Sequence, residues 1–136
     1  MITAIDSNVL LDVFSADPGF GAASRRAIGT AFEDGAVMAC EVVWAEVAAS
    51  YRSIDEGRER LEQLGIGFAA LDPEVALAAG ALWWEHLRVG GGSDRSMADF
   101  LIGTHAWMRA DALLTRDRGF YRASFGRLKV IDPSTS

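Results

Sequence analysis

Five short apolar runs recur along the chain, and segments with helical spacing separate them. The runs predict β-strands over Ile2–Ile5, Ala36–Ala39, Ile66–Leu71, Ala112–Thr115 and Leu128–Ile131. They read as largely unbroken apolar stretches and not as an alternation of apolar and polar positions. This pattern is typical of strands that are covered on both faces.

Apolar residues that return every three or four positions predict helices between these strands. The predicted helices cover Val9–Phe14, Phe20–Phe32, Glu41–Arg52, Ile54–Leu64, Pro73–Arg88, Ser96–Arg109 and Asp117–Ala123. Ser53 and Glu56 match a capping box, and Asp72 stands as N-cap before Pro73. Gly90–Gly92 breaks the fifth helix and forms a flexible stretch inside the chain.

Strands that alternate with helices predict a parallel sheet with helices on both faces. The expected fold is therefore α/β, a three-layer α/β/α sandwich with a central parallel sheet of about five strands. The length of 136 residues suits one domain, and we expect residues 1–136 to form it.

Composition narrows the setting in which the protein works. The one cysteine, Cys40, cannot form a disulfide within the chain or join a cysteine metal site. The N-terminus has no basic signal region, and no apolar stretch approaches the length of a membrane span. We expect a cytoplasmic protein that makes no membrane contact.

Four acids stand where acids are unusual. Asp6 follows the first predicted strand and Asp117 follows the fourth, at the sheet edge where parallel α/β proteins bind ligands. Glu46 and Asp99 interrupt otherwise apolar stretches of helix, where a carboxylate is costly to bury without a partner. Hard oxygen donors without a His or Cys cluster favour Mg²⁺, with Mn²⁺ as a substitute.

A carboxylate-held Mg²⁺ lowers the pKa of a bound water, orients it and neutralises charge that develops on phosphorus. Hydrolysis of a phosphodiester needs all of these effects. The chain has two His, and neither lies among the acids, so no Ser-His-Asp or Cys-His set competes for the role.

Each acid also has an interpretation that needs no metal. Asp6 and Asp117 could cap the short helices that follow them, and Glu46 could pair with Arg52. Asp99 lies four residues after Arg95, a spacing that also supports an ordinary helical ion pair. The residues alone leave these alternatives open.

Together the segments around these acids resemble the PIN-domain ribonucleases, and most closely the VapC toxins of bacterial toxin–antitoxin modules. The segments that carry the resemblance are Asp6–Asp12 (DSNVLLD), Glu46, Asp99–Ala106 (DFLIGTHA) and Leu114–Phe120 (LTRDRGF). They occur in the family's order and extend over essentially the whole chain.

The resemblance implies that Asp6, Glu46, Asp99 and Asp117 form an acidic metal-binding quartet, the catalytic residues of a Mg²⁺-dependent endoribonuclease. Asn8 and Thr115 would be polar supports. It also implies a homodimer and a small antitoxin protein whose C-terminal segment covers the site.

One stretch departs from the family's pattern. The family often has Ser or Thr before the helix that carries Glu46, whereas Cys40 and Glu41 stand here. Glu41 could therefore be a fifth acid at the rim of the site.

The net charge of −6 opposes an RNA substrate, since affinity for RNA comes largely from Lys and Arg. Twelve of the 13 basic residues are Arg, however, and Arg binds phosphate in a bidentate manner. Arg95, Arg116, Arg118 and Arg122 lie near two of the acids in sequence and are expected to hold the RNA backbone. They could equally pair with those acids when metal is absent.

Three further expectations concern residues outside the quartet. His105 lies on another helix face from the nearest acid and is expected to be structural. Asp12 is expected to serve a cap or turn. Trp83, Trp84 and Trp107 carry more apolar area than a small core needs, so part of it is expected at an interface.

Two other function classes remain open. A metal-dependent phosphatase would also place an acid after the first strand, but haloacid-type phosphatases have a second Asp where Asn8 stands. A non-catalytic RNA- or protein-binding module of the same fold would have little use for clustered carboxylates, which destabilise one another without metal.

Overall fold

The computed structural model describes residues 1–92 and 94–135 and centres on a parallel sheet of five strands. In chain order these are β1 (Ile2–Ile5), β2 (Ala36–Cys40), β3 (Gly67–Ala69), β4 (Ala112–Leu114) and β5 (Val130–Ile131). The order across the sheet is β3-β2-β1-β4-β5, and every pair is parallel. The predicted α/β fold is confirmed.

Both edge strands are shorter than predicted. β3 pairs only with β2, from Met38 opposite Gly67 to Cys40 opposite Ala69, so it ends where that partner ends. β5 pairs with β4 at Val130 and Ile131 alone. Apolar sequence continues beyond each edge strand, but pairing requires a neighbouring backbone.

Seven α-helices surround the sheet in the described part of the chain. They are α1 (Ser7–Phe14), α2 (Gly21–Asp34), α3 (Glu41–Ala48), α4 (Ile54–Leu64), α5 (Pro73–Arg88), α6 (Met97–Arg109) and α7 (Arg118–Ser124). A 3-10 turn, Pro133–Thr135, follows β5.

The prediction that α3 continues to Arg52 is wrong. The helix ends at Ala48, and the amides of Ser50 and Tyr51 fold back as a turn onto the carbonyls of Val47 and Ala48. The backbone is then extended at the next N-cap, Ser53, whose hydroxyl accepts the amide proton of Glu56 at 3.2 Å. The Ser53 cap thus starts a new helix at the expense of the previous one.

The connections define three layers. From β1 the chain moves through α1 and α2 to β2, then through α3 and α4 to the edge strand β3. It returns through α5 and α6 to β4 and through α7 to β5, on the other side of β1. Because crossover connections are right-handed, the two directions place their helices on opposite faces of the sheet.

The order in which strands are added reverses at β1: β2 and β3 lie on one side of it, and β4 and β5 lie on the other. β1 and β4 are parallel neighbours in the sheet. The amide of Asp6 donates to the carbonyl of Leu114 at 2.9 Å, so the two strands end side by side. Outside the carboxyl ends of such a pair, an open α/β sheet has its binding crevice. Asp6 and Thr115 are the first residues beyond these ends.

The core lies between the sheet and its helices, with Ile5, Leu10, Val43 and Leu113 almost completely buried. Part of the expected tryptophan interface is instead core packing, because Trp83 contacts the buried ring of Phe100 edge-on at 5.3 Å. Trp84 and Trp107 are exposed. Within residues 1–92 and 94–135, no helix is both long enough and apolar enough to cross a membrane.

Candidate functional site

Asp6 occupies the carboxyl end of the central strand and caps α1. Its carboxylate accepts the amide proton of Ser7 on Oδ1 at 2.8 Å and the hydroxyl proton of Thr115 on Oδ2 at 2.8 Å. The residue is only 6% exposed. Asp6 therefore does cap α1, as the alternative interpretation expected. A helix cap, however, does not require a carboxylate that is this deeply buried.

A hydrogen-bond network joins the start of the chain to the end of β4. The amide nitrogen Nδ2 of Asn8 lies 3.4 Å from both Asp6 Oδ2 and Thr115 Oγ1. Thr115 Oγ1 also accepts the backbone amide proton of Asp117 at 3.0 Å, and Asn8 Oδ1 accepts that of Arg116 at 3.2 Å. Four of the six residues predicted as ligands or supports are thus held in one continuous polar network, which the Arg116 amide joins.

Glu46 approaches this network from α3. Its carboxylate accepts the hydroxyl proton of Ser7 at 3.0 Å, and the same hydroxyl lies 3.5 Å from Asp6 Oδ1. Ser7, which bridges the two acids, was not among the predicted site residues. Its place directly after Asp6, at the start of a helix, was the available signal.

Asp99 and Asp117 are held by partners of their own. Asp99 lies in the first turn of α6 and accepts the backbone amide proton of Ser96 at 2.9 Å, completing a capping box. The Asp117 carboxylate accepts hydrogen bonds from both terminal nitrogens of the Arg95 guanidinium, and the bond from Nη2 is 3.2 Å long. That guanidinium also lies 4.2 Å above the ring of Phe120. Arg95 therefore pairs with Asp117, not with Asp99.

Tyr121 is a buried residue that the sequence analysis missed. Burial raises the pKa of its phenol, and the charges of Asp6, Asp99 and Asp117 raise it further. The phenol is therefore a neutral hydrogen-bond donor that lies within the field of three of the four acids. Nothing in its sequence position on α7 distinguishes it from an ordinary core tyrosine.

Burial raises the pKa of Asp6 to about 6, although the bonds from Thr115 and Ser7 lower it and the charge of Glu46 raises it. No Lys, Arg or His of residues 1–92 and 94–135 forms a salt bridge with Asp6. A buried carboxylate without a cationic partner fits a site that takes a cation.

The chemistry of the donors fits a hard divalent ion, because every predicted ligand is a carboxylate oxygen. Within the described ranges, however, no three His, Cys, Asp or Glu side chains are arranged as a metal-holding group. The Ser7 hydroxyl links Asp6 to Glu46. The other two acids have separate partners: Asp99 is bonded to Ser96 and Asp117 to Arg95.

Glu41, the predicted fifth acid at the rim, has a structural contact. Its carboxylate accepts the backbone amide proton of Leu71 at 2.9 Å. It therefore ties the start of α3 to the segment after β3.

The arginines expected to hold RNA have different environments. Arg116 forms a bidentate ion pair with Asp12, so its guanidinium faces α1. The expectation that Asp12 serves a cap or turn is therefore wrong. Arg118 lies 3.4 Å from Asp132. Arg122 is exposed on α7.

The expected structural residue His105 is buried in α6, and burial lowers its pKa.

Fold and site together define an α/β protein with a buried carboxylate, Asp6, at the topological switch point of its sheet and a second acid, Glu46, joined to it through Ser7. Residues 3–126 match the family model of the PIN domain, and the chain belongs to this family. PIN domains are generally nucleases that use divalent metals.

Several solved structures share this fold at low sequence identity. VapBC2 from Rickettsia felis, bound to a DNA fragment from its promoter, matches at 15% identity and a TM-score of 0.76, covering 97% of this chain and 98% of that one. VapBC-1 from nontypeable Haemophilus influenzae matches at 16% identity and a TM-score of 0.75, covering 99% of this chain and 100% of that one. FitAcB from Neisseria gonorrhoeae matches at 22% and 0.72, covering both chains completely. A search of curated proteins found no match.

Proposed function

We propose that this protein is a Mg²⁺-dependent endoribonuclease and the toxin of a type II toxin–antitoxin pair. The observation that carries the proposal is the network at the switch point, in which Asn8 and Thr115 hold the buried carboxylate of Asp6. Membership of the PIN family supports nuclease chemistry at this place. We also propose that residues 1–136 form one domain, since the family match covers residues 3–126.

In this proposal Asp6 and Asp99 hold the principal ion, and Glu46 and Asp117 complete the cluster. Mn²⁺ substitutes for Mg²⁺. A divalent ion bound there supplies a water nucleophile of lowered pKa and stabilises charge on the phosphate.

The protein's own residues prepare the site for that ion. The hydroxyl of Thr115 and the amide of Ser7 bind the two oxygens of Asp6 and fix the orientation of its carboxylate. Hydrogen bonds of this kind favour the charged form, against the desolvation that raises the pKa of Asp6. Arg95 neutralises Asp117 and, with 24% of its side chain exposed, is placed to contact the RNA backbone.

An antitoxin that carries a cationic side chain would block such a site. The contact between Arg95 and Asp117 supports this part of the proposal, because it demonstrates how a guanidinium fits one of the acids. The solved VapBC and FitAcB structures have a chain of the same fold. A homodimer is supported by exposed apolar side chains on α5, including Leu77 and Trp84.

The test is cleavage of a mixed-sequence RNA with Mg²⁺ by the wild type and by Asp99→Asn. The variant keeps an oxygen that can accept the Ser96 amide proton, so it should fold, and it should lose cleavage by at least about 100-fold because a charged ligand is lost. Asp55→Asn is the matched control, since Asp55 lies in the first turn of α4 on the surface.

Full cleavage by Asp99→Asn would remove the quartet from the mechanism. Equal hydrolysis of a phosphomonoester would favour the phosphatase class. Binding of RNA by the wild type without cleavage, with Mg²⁺ or Mn²⁺ present, would leave the non-catalytic binding module.

A further inference from the structure

The ion pair between Asp12 and Arg116 joins an almost completely buried carboxylate to a partly buried guanidinium. Arg116 Nε lies 2.6 Å from Asp12 Oδ2, and Nη2 lies 3.0 Å from Oδ1, so the pair is bidentate. The Asp12 side chain is 6% exposed, and that of Arg116 is 31% exposed. The hydroxyl of Ser24 donates to the same carboxylate at 3.0 Å, and the ring of Phe20 lies 4.0 Å from the guanidinium carbon.

Two of these contacts hold Arg116 directly, and the third orients the carboxylate that binds it. α1 supplies the carboxylate, α2 supplies the hydroxyl that orients it, and Phe20, which precedes α2, covers the guanidinium. A bidentate pair defines both the position and the plane of the guanidinium, which a single contact would not do. The backbone of Arg116 is consequently fixed against α1.

That backbone is itself part of the acidic network. The amide of Arg116 donates to Asn8 Oδ1 at 3.2 Å. With Oδ1 engaged there, Nδ2 of Asn8 faces Asp6 and Thr115. The flanking residues of Arg116 are Thr115, which binds Asp6, and the acid Asp117.

We infer that Arg116 is a positioning residue: its ion pair with Asp12 holds the segment 115–117 so that Asn8, Thr115 and Asp117 keep their places around Asp6. The inference rests on the proposed function for its consequence, the binding of a divalent ion. It changes the expected role of Arg116 from a contact to RNA into a support of the acids. Partners that orient metal ligands commonly contribute 10-fold to 100-fold to metal affinity.

The decisive variant is Asp12→Asn. Asp12 is buried and is not among the proposed metal-binding or RNA-binding residues. In the variant Arg116, which is 31% exposed, can be hydrated, so no unpaired charge is buried. Arg116→Gln removes the other partner. Arg109→Gln is the control, because Arg109, the last residue of α6, also pairs with acids, Asp72 at 2.8 Å and Glu74 at 3.1 Å, but has no bond, in the part of the chain that the structure describes, to the network around Asp6.

Two measurements are made on the full chain: Mn²⁺ affinity by calorimetry, and the NMR signals of the Asn8 side-chain amide with the exchange rate of the Arg116 backbone amide. We expect Asp12→Asn and Arg116→Gln each to weaken Mn²⁺ binding about 10-fold. Both should shift the Asn8 signals and speed the exchange, and Arg109→Gln should change neither.

Wild-type Mn²⁺ affinity and Asn8 signals in a folded Asp12→Asn would overturn the inference. A separate RNA-binding assay in which Arg116→Gln alone loses binding, with Mn²⁺ affinity unchanged, would instead assign the guanidinium directly to RNA. If the wild type binds no Mn²⁺, the proposed function fails, and the Asn8 and Arg116 amide signals then decide the positioning role by themselves.

Discussion

Two buried threonines on neighbouring strands have opposite surroundings. Thr115 follows β4, and its hydroxyl donates to Asp6 while accepting the amide proton of Asp117. Thr3 lies in β1, equally buried, and its hydroxyl has no hydrogen-bond partner in the described ranges. The same side chain therefore belongs to the polar network around Asp6 in one place and is a packing element with an unpaired polar atom in the other.

This contrast predicts opposite effects of one substitution. Thr115→Val should lower the free energy of unfolding by about 1–3 kcal/mol, because it leaves the buried Asp6 carboxylate short of a donor. Thr3→Val should be neutral or stabilising, since it removes an unpaired hydroxyl. Urea denaturation of both variants checks the pair. Equal losses in the two would mean that the bond to Asp6 contributes nothing to stability.

The sequence could indicate the acids at the residue scale but not their partners. Asp6 stood out because it follows an apolar run directly, and this placement needs only local information. Arg95 and Asp117 are 22 positions apart, and Asp12 and Arg116 are 104 apart. Which arginine reaches which acid depends on the crossing of helices in space, which local patterns do not contain.

At the scale of elements, α6 depends on a close approach at one glycine. A Cβ at Gly103 would lie 2.4 Å from the ring of Phe125, which follows α7. At Gly80 of α5, in contrast, a Cβ would have no other atom of the described residues within 4 Å, apart from its chain neighbours and the backbone of its own helix. Phe125 thus packs onto the bare backbone of the helix that carries Asp99.

Alanine at these two glycines should separate packing from helix propensity. Gly103→Ala should destabilise the protein by about 1–3 kcal/mol through overpacking. Gly80→Ala should stabilise it by about 0.5–1 kcal/mol, because alanine loses less backbone freedom. Thermal unfolding measures both changes. A stabilised Gly103→Ala would mean that Phe125 moves aside at little cost.

Element boundaries were predictable where a cap marks them. Ser53 and Asp72 start helices where the sequence places them, and Gly65, at a positive φ of 82°, ends α4. The end of α3 had no such mark, and apolar periodicity continued through it. Edge-strand lengths failed for a different reason, since they depend on how far the neighbouring strand extends.

At the scale of the whole molecule, α5 presents an apolar stripe to solvent. Leu77 is 76% exposed and Trp84, two turns later on the same face, is 62% exposed. Leu87 continues the stripe one turn further. Side chains of this size at this spacing fit the helix-to-helix contact of the proposed homodimer.

Trp84→Lys should therefore abolish self-association while leaving the fold intact. Sedimentation equilibrium over a range of concentrations measures the change, with Ile54→Lys as the control. Ile54 is as exposed as Leu77 but stands alone at the start of α4. A variant at position 84 that still dimerises would move the contact to another face, and a monomeric wild type would remove the dimer from the proposal.

The place of β4 beside β1 has a consequence for the order of events in synthesis. Asp6 and Ser7 leave the ribosome early, but Thr115, which completes the bonds to Asp6, is made only after nearly the whole chain. A nascent chain that has reached only α5 lacks β4 and with it the crevice. Under the proposed function, the growing chain would therefore have no site for a divalent ion or for RNA until β4 has been made.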